Sequence, residues 1–176
     1  KTFFQNSKFN KTIIETLGFE LTEAQRRAHT QIKNSLTNSS PMNCLLQGDV
    51  GSGKTIVSIL ASSIAVESNF QVAIMAPTEI LARQHLKSFK KEFDPLQITC
   101  ALLTGGMARK ERDKIIDSLN NGKIDLVIGT HALIQKDVKF KKLGLVIIDE
   151  QHRFGVNQRR KLVEKGNNPH FLACLL

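Results

Sequence analysis

The sequence predicts an α/β domain built on a mostly parallel sheet with helices on both faces. Three observations lead there. Short apolar runs alternate with segments of helical length, as in successive βαβ units. An early run, Asn43-Cys44-Leu45-Leu46-Gln47, leads into Gly48-Asp49-Val50-Gly51-Ser52-Gly53-Lys54-Thr55, which fits the phosphate-loop pattern GxxxxGK[ST] without a mismatch. A later run, Gly144-Leu145-Val146-Ile147-Ile148, is too short for a helix, suits a central parallel strand and delivers Asp149-Glu150.

The elements follow in order. Thr12 to Leu17 reads as a short helix ended by Gly18. Thr22-Glu23-Ala24-Gln25 is a capping box, because Gln25 can reach back to the cap N–H, and it opens a helix to about Leu36. Asn38-Ser39-Ser40-Pro41 is a loop. Strands are predicted at 43–47, 71–75, 98–102, 125–128, 144–148 and 170–174. Helices are predicted at 54–67, 78–93, 108–120 and 155–165, with a short one starting near His131. In such sheets ligands sit at the carboxyl ends of the strands, where the phosphate loop and Asp149 both fall.

The phosphate loop carries the chemistry. Gly48, Asp49, Val50, Gly51, Ser52 and Gly53 let the backbone turn tightly and aim N–H groups at a phosphate, at a helix N-terminus that adds partial positive charge. Lys54 is placed to reach the β- and γ-phosphates, and the Thr55 hydroxyl to hold Mg²⁺. Asp149 fits the second metal-holding role, and Glu150 the polarisation of an attacking water. The bland readings are a Gly/Ser loop that merely starts a helix and a pair of solvated acids. Pattern and context together favour a nucleoside-triphosphate site, with Lys54, Asp149 and Glu150 as its catalytic residues.

Composition bounds the rest. The 176 residues suffice for one sizeable core but not for two nucleotide-binding lobes. Hydrophobic residues make up 41%, no run is long enough to span a bilayer, and no N-terminal stretch has a signal-peptide layout. Cys44, Cys100 and Cys174 are odd in number and far apart, as in a cytoplasmic protein with reduced core thiols. The chain starts at Lys1 without Met and stops at Leu176 inside an apolar run, which suggests a fragment. A net charge of +9 and a pI near 9.7 suggest a polyanionic partner, although the basic clusters sit on helix faces where solvated charge is the default.

Between the two nucleotide motifs stand Ala76-Pro77-Thr78-Glu79-Ile80-Leu81-Ala82 with Gln84-His85, Leu103-Thr104-Gly105-Gly106, and Gly129-Thr130-His131-Ala132-Leu133-Ile134-Gln135. With Asp149-Glu150-Gln151-His152-Arg153-Phe154-Gly155-Val156 they follow the order of superfamily 2 helicase motifs. From about Phe19 to His170 the chain resembles the first RecA-like domain of RecG-type ATP-dependent DNA helicases. The resemblance implies a RecA-like P-loop NTPase fold, ATP and Mg²⁺ as cofactors, and branched or forked DNA as partner in repair and recombination. It implies that residues 1–18 connect from an N-terminal wedge domain and that 19–176 form the ATP-binding domain, truncated at its end. A second RecA-like lobe would supply an arginine finger.

The resemblance also assigns residues. Gln25 looks like the adenine-reading glutamine, although it also serves as the cap described above. Thr78, Gly105, Thr130 and His131 would lie along the DNA backbone, since hydroxyls and N–H groups at helix N-termini suit phosphate. His152 resembles the residue linking hydrolysis to strand movement, and equally fits a structural histidine. Two departures stand out. Cys44 replaces a usual Arg, and Ala173-Cys174-Leu175-Leu176 does not supply the family's Thr-Ala-Thr motif. Three rivals stay open. One is a transcription-repair coupling translocase, whose acidic motif usually reads Asp-Glu-Glu-His, so Gln151 favours the RecG type. The others are a P-loop phosphotransferase acting on a small molecule, and a DNA-binding module in which nucleotide is only a structural ligand.

Overall fold

The computed structural model describes residues 3–48 and 53–175. Its strands are β1 (Asn43–Gln47), β2 (Gln71–Met75), β3 (Cys100–Leu103), β4 (Leu126–Gly129), β5 (Leu143–Ile148) and β6 (His170–Leu175). They form one six-stranded sheet in the order β1-β6-β5-β2-β4-β3. Every pairing is parallel. The α-helices are α1 (Lys8–Thr16), α2 (Glu23–Leu36), α3 (Lys54–Glu67), α4 (Glu79–Phe93), α5 (Arg109–Asn120) and α6 (Val156–Val163).

Strand order explains how the helices divide between the faces. The steps β1 to β2 and β2 to β3 move one way across the sheet and carry α3 and α4. The steps from β3 back to β6 move the other way and carry α5 and α6. Right-handed crossovers therefore place the two sets on opposite faces. Side-chain alternation agrees. Val72 and Ile74 of β2 enter a core with Ile64, Phe89 and Phe93. Ala73 and Met75 enter a second core with Leu119, Leu133 and Leu162. Burying Phe89 or Phe93 fully is worth roughly 1.5–3 kcal/mol each, which pins α4 to the sheet.

Helix α3 is enclosed on all sides, with every residue from Ile56 to Ala65 buried. The sheet lies beneath it, and α1 and α2 lie over it. Phe3 and Ile13 join the same core, so the first residues described pack on the domain. A buried polar clamp fixes α1. Asn10 Nδ2 donates to the Leu60 carbonyl at 2.8 Å and to the Ser63 hydroxyl, and His29 Nε2 meets Asn10 Oδ1.

Several element boundaries differ from expectation. Helix α1 starts at Lys8, not Thr12, because Ser7 caps it and the Glu67 carboxylate accepts from the Lys8 N–H at 2.9 Å. It ends at Thr16, closed by the Leu17 N–H to the Ile13 carbonyl at 3.0 Å. Gly18 is not among the described glycines with positive φ, so it does not act as a left-handed cap. Strand β3 begins at Cys100 because Ile98 N–H bonds back to the Phe93 carbonyl and Thr99 N–H donates to Asp125. The short helix near His131 is a single 3-10 turn, His131–Ile134.

A wholly parallel sheet sends every strand's C-terminus to one edge. Gly48, Thr104-Gly105, Thr130-His131 and Asp149-Glu150 follow directly on strands and Pro77-Thr78 one residue later, so this carboxyl edge collects the helicase-like motifs that follow strands. Among the described residues no helix is long and apolar enough to cross a membrane.

Candidate nucleotide site

Helix α3 begins at Lys54 with Gly53 as its N-cap in the left-handed region, φ +78°. The positive φ favours glycine here, and a Cβ at Gly53 would lie 1.9 Å from Gln25 Nε2 and push that side chain aside. Gln25, buried at the start of α2, closes the expected capping box. Its Oε1 accepts from the Thr22 N–H at 2.9 Å, and the Thr22 hydroxyl accepts from the Gln25 N–H at 3.2 Å. The same amide turns its Nε2 toward the Gly53 carbonyl at 3.5 Å. Gln25 therefore joins the cap of α2 to the foot of the phosphate loop. Asp49, Val50, Gly51 and Ser52 lie outside the described residues.

Lys54 and Thr55 face a cavity of about 180 Å³ shared with Asp149, Glu150, His85, Ser58, Phe89 and Cys174. The Lys54 ammonium donates to the Gly48 carbonyl across the loop. Strand β5 delivers Asp149, whose backbone N–H bonds the Met75 carbonyl at 2.9 Å. Both carboxylate oxygens of Asp149 are held. Oδ1 accepts from the Glu150 N–H at 3.1 Å, and Oδ2 lies 2.6 Å from His85 Nε2. Glu150 stands at φ +49°, a left-handed conformation costly for a non-glycine residue and typical of strain kept at functional sites. Its Oε2 lies 2.9 Å from Arg153 Nε, an ion pair whose alignment makes no hydrogen bond. Burial pushes the Cys174 thiol up to about 11, so it stays neutral beside the cavity.

The donor set suits a small hard cation. A threonine hydroxyl and one aspartate are oxygen ligands of the kind Mg²⁺ takes, alongside waters and substrate phosphates. Among the described residues no cage of three or more His, Cys, Asp or Glu side chains exists. A cation held by few protein groups and by a polyphosphate fits that pattern.

The remaining expected residues line the carboxyl edge but do not meet in one pocket. Thr78 is exposed and caps α4, accepting from the Leu81 N–H at 3.2 Å. Gly105 is exposed, with open space where a Cβ would stand. Thr130 precedes the 3-10 turn, and the exposed His131 ring lies 5.7 Å from that of Phe154. His152 is exposed on the 3-10 turn Gln151–Arg153. The basic clusters are only partly associated with this edge. Lys90, Arg109 and Arg160 each pair with an acid four residues on. Lys90 and Lys91 close α4, which runs back from the carboxyl edge, so they lie toward the opposite one. Arg109 and Lys110 open α5 just after Gly105-Gly106 and belong to the motif edge.

In the sequence His85 shows only as part of a motif, and its partner Asp149 stands 64 residues away. The signal available was position. His85 stands four residues before Phe89 on the buried face of α4, where a polar side chain needs a partner.

Comparison with known proteins agrees with this geometry. The chain is 55% identical over 159 residues to the ATP-dependent DNA helicase RecG of Thermotoga maritima, covering 90% of this chain and 20% of that protein. It is 52% identical over 170 residues to RecG of Aquifex aeolicus, covering 96% of this chain and 22% of that protein. The chain thus spans about a fifth of the length of the curated relatives it matches. Among solved structures, RecG bound to a three-way DNA junction superposes with a TM-score of 0.88 at 49% identity, covering 99% of this chain and 23% of that one. A RecA-like helicase fold follows, and with it a nucleotide site that normally works with a divalent metal. The sequence pattern of the DEAD/DEAH box helicases matches residues 22–169, and the chain belongs to that family.

Proposed function

We propose that this chain is the ATP-binding lobe of a RecG-type DNA helicase, a motor that moves on branched or forked DNA in repair and recombination. The observation that carries this reading is the convergence of Lys54, Thr55, Asp149 and Glu150 on one cavity at the carboxyl edge. Lys54 neutralises charge on the β- and γ-phosphates of ATP. Thr55 and Asp149 hold Mg²⁺, which when bound offsets charge developing on the transferred phosphoryl group. Glu150 orients and polarises the attacking water, and Gln25 reads the adenine edge beside the loop. Thr78, Gly105, Thr130 and His131 contact DNA phosphates along the same edge, and His152 links the two sites. The arginine finger belongs to a second lobe of the parent protein, and residues 1–18 lead in from its wedge domain. Free cysteines and a chromosomal substrate suit the cytoplasm.

The test is ATP turnover by a chain of the relatives' full length, with and without a synthetic fork. DNA-stimulated turnover, lost in Glu150→Gln while ATP stays bound, is the expected result. Turnover indifferent to DNA would instead favour a phosphotransferase, and nucleotide binding without turnover a binding module.

A further inference from the structure

We infer that His85 is a positioning residue for the metal-holding carboxylate, a role that rests on the ATP·Mg²⁺ reading of this cavity. A carboxylate only accepts hydrogen bonds, so at 2.6 Å His85 donates from Nε2 to Asp149 Oδ2. Both side chains are 19% exposed, which keeps the contact largely away from competing water. The histidine cannot drift, because Phe89 and Phe93 on the same helix are buried and stack edge to face at 5.5 Å. Asp149 is held from its other oxygen by the Glu150 N–H. The two donors from different elements fix the carboxylate, which lines the same cavity as Thr55.

Outer partners of this kind orient metal-holding groups, and their loss typically costs about 10–100-fold in metal affinity or activity. Without His85, Asp149 is free to rotate away from the cavity or turn back on Lys54.

The experiment measures ADP affinity of the 176-residue chain with and without Mg²⁺, and Mn²⁺ binding in the presence of ADP by electron paramagnetic resonance. His85→Ala should weaken Mn²⁺ binding about tenfold or more, well beyond any change in metal-free ADP affinity. His85→Gln places an amide donor near the position of Nε2 and should recover most of that loss. Thermal unfolding reports whether each variant is folded, and His85→Gln and His85→Asn carry the comparison if the alanine variant is not. Unchanged Mn²⁺ affinity in folded His85→Ala, or in His85→Asn (whose amide is too short to reach Asp149) where the alanine variant does not fold, would overturn the inference alone. A wild-type chain that binds ADP with no metal dependence would overturn the ATP·Mg²⁺ reading itself.

Discussion

Replacing Gly53 by alanine should damage both the fold and the nucleotide site. At φ +78° an L-residue is strained by roughly 1–2 kcal/mol. The new methyl would also sit 1.9 Å from Gln25 Nε2, at the movable end of that side chain. Gln25 should therefore swing out, breaking the bond that the Thr22 N–H donates to its Oε1. Loss of a cap interaction costs about 0.5–2 kcal/mol. Together these give a destabilisation of about 1.5–4 kcal/mol, or a fall in Tm of about 3–16 °C for a domain of this size. Differential scanning calorimetry measures it. A double-mutant cycle separates the two causes. In a Gln25→Ala background the clash is already gone, so Gly53→Ala should cost only the backbone strain, about 1–2 kcal/mol. Strict additivity of the two substitutions, or a Tm unchanged in Gly53→Ala, would refute the account of this junction.

Further outcomes follow from other residues. Gln25→Ala should weaken ATP much more than GTP, since a site built to hydrogen-bond a ligand group discriminates by leaving polar groups unpaired. Equal losses in titration calorimetry would mean that Gln25 is only a cap. Glu150→Gly should raise Tm by about 2–4 °C, by relieving about 1 kcal/mol of left-handed strain, while abolishing turnover in the full-length parent. Burial, and then Lys33, lower the His29 pKa below 6.5, so the unfolded chain binds the proton more readily. Stability from this site is therefore present above pH 6.5 and falls as pH drops below it, and His29→Gln should flatten that part of the Tm–pH curve. The 176-residue chain alone should hydrolyse ATP very slowly and unwind no fork, because an arginine finger is worth about 10³–10⁵ in rate. Fork unwinding by this chain would refute the half-motor view.

The parts of the structure that could be read from the sequence share one property, which is that their causes are local. The apolar run before Asp149 needs no distant partner to declare a buried strand, and Thr22 with Gln25 announces a helix start within four residues. The phosphate loop and the acidic pair were found this way, and an all-parallel sheet then forces them to the same edge. What escaped depends on distant contacts. The true start of α1 rests on Glu67, 59 residues beyond Lys8. The bond between His85 and Asp149 spans 64 residues. The close approach at Gly53 comes from Gln25, whose bond to that residue spans 28. The +9 charge suggests a polyanionic partner but places no surface for it, and as the helix-face reading expects, several of those cations pair along their own helices.

The most direct test of the nucleotide site at the centre of this account is calorimetric titration of the 176-residue chain and its Lys54→Ala variant with ATP and Mg²⁺. Lys54 reaches across the phosphate loop to Gly48 and faces the cavity with Thr55 and Asp149, so its ammonium should meet the β- and γ-phosphates. Binding by the wild-type chain and its loss in a folded Lys54→Ala variant is the predicted result. Equal ATP affinity in the two chains would contradict it.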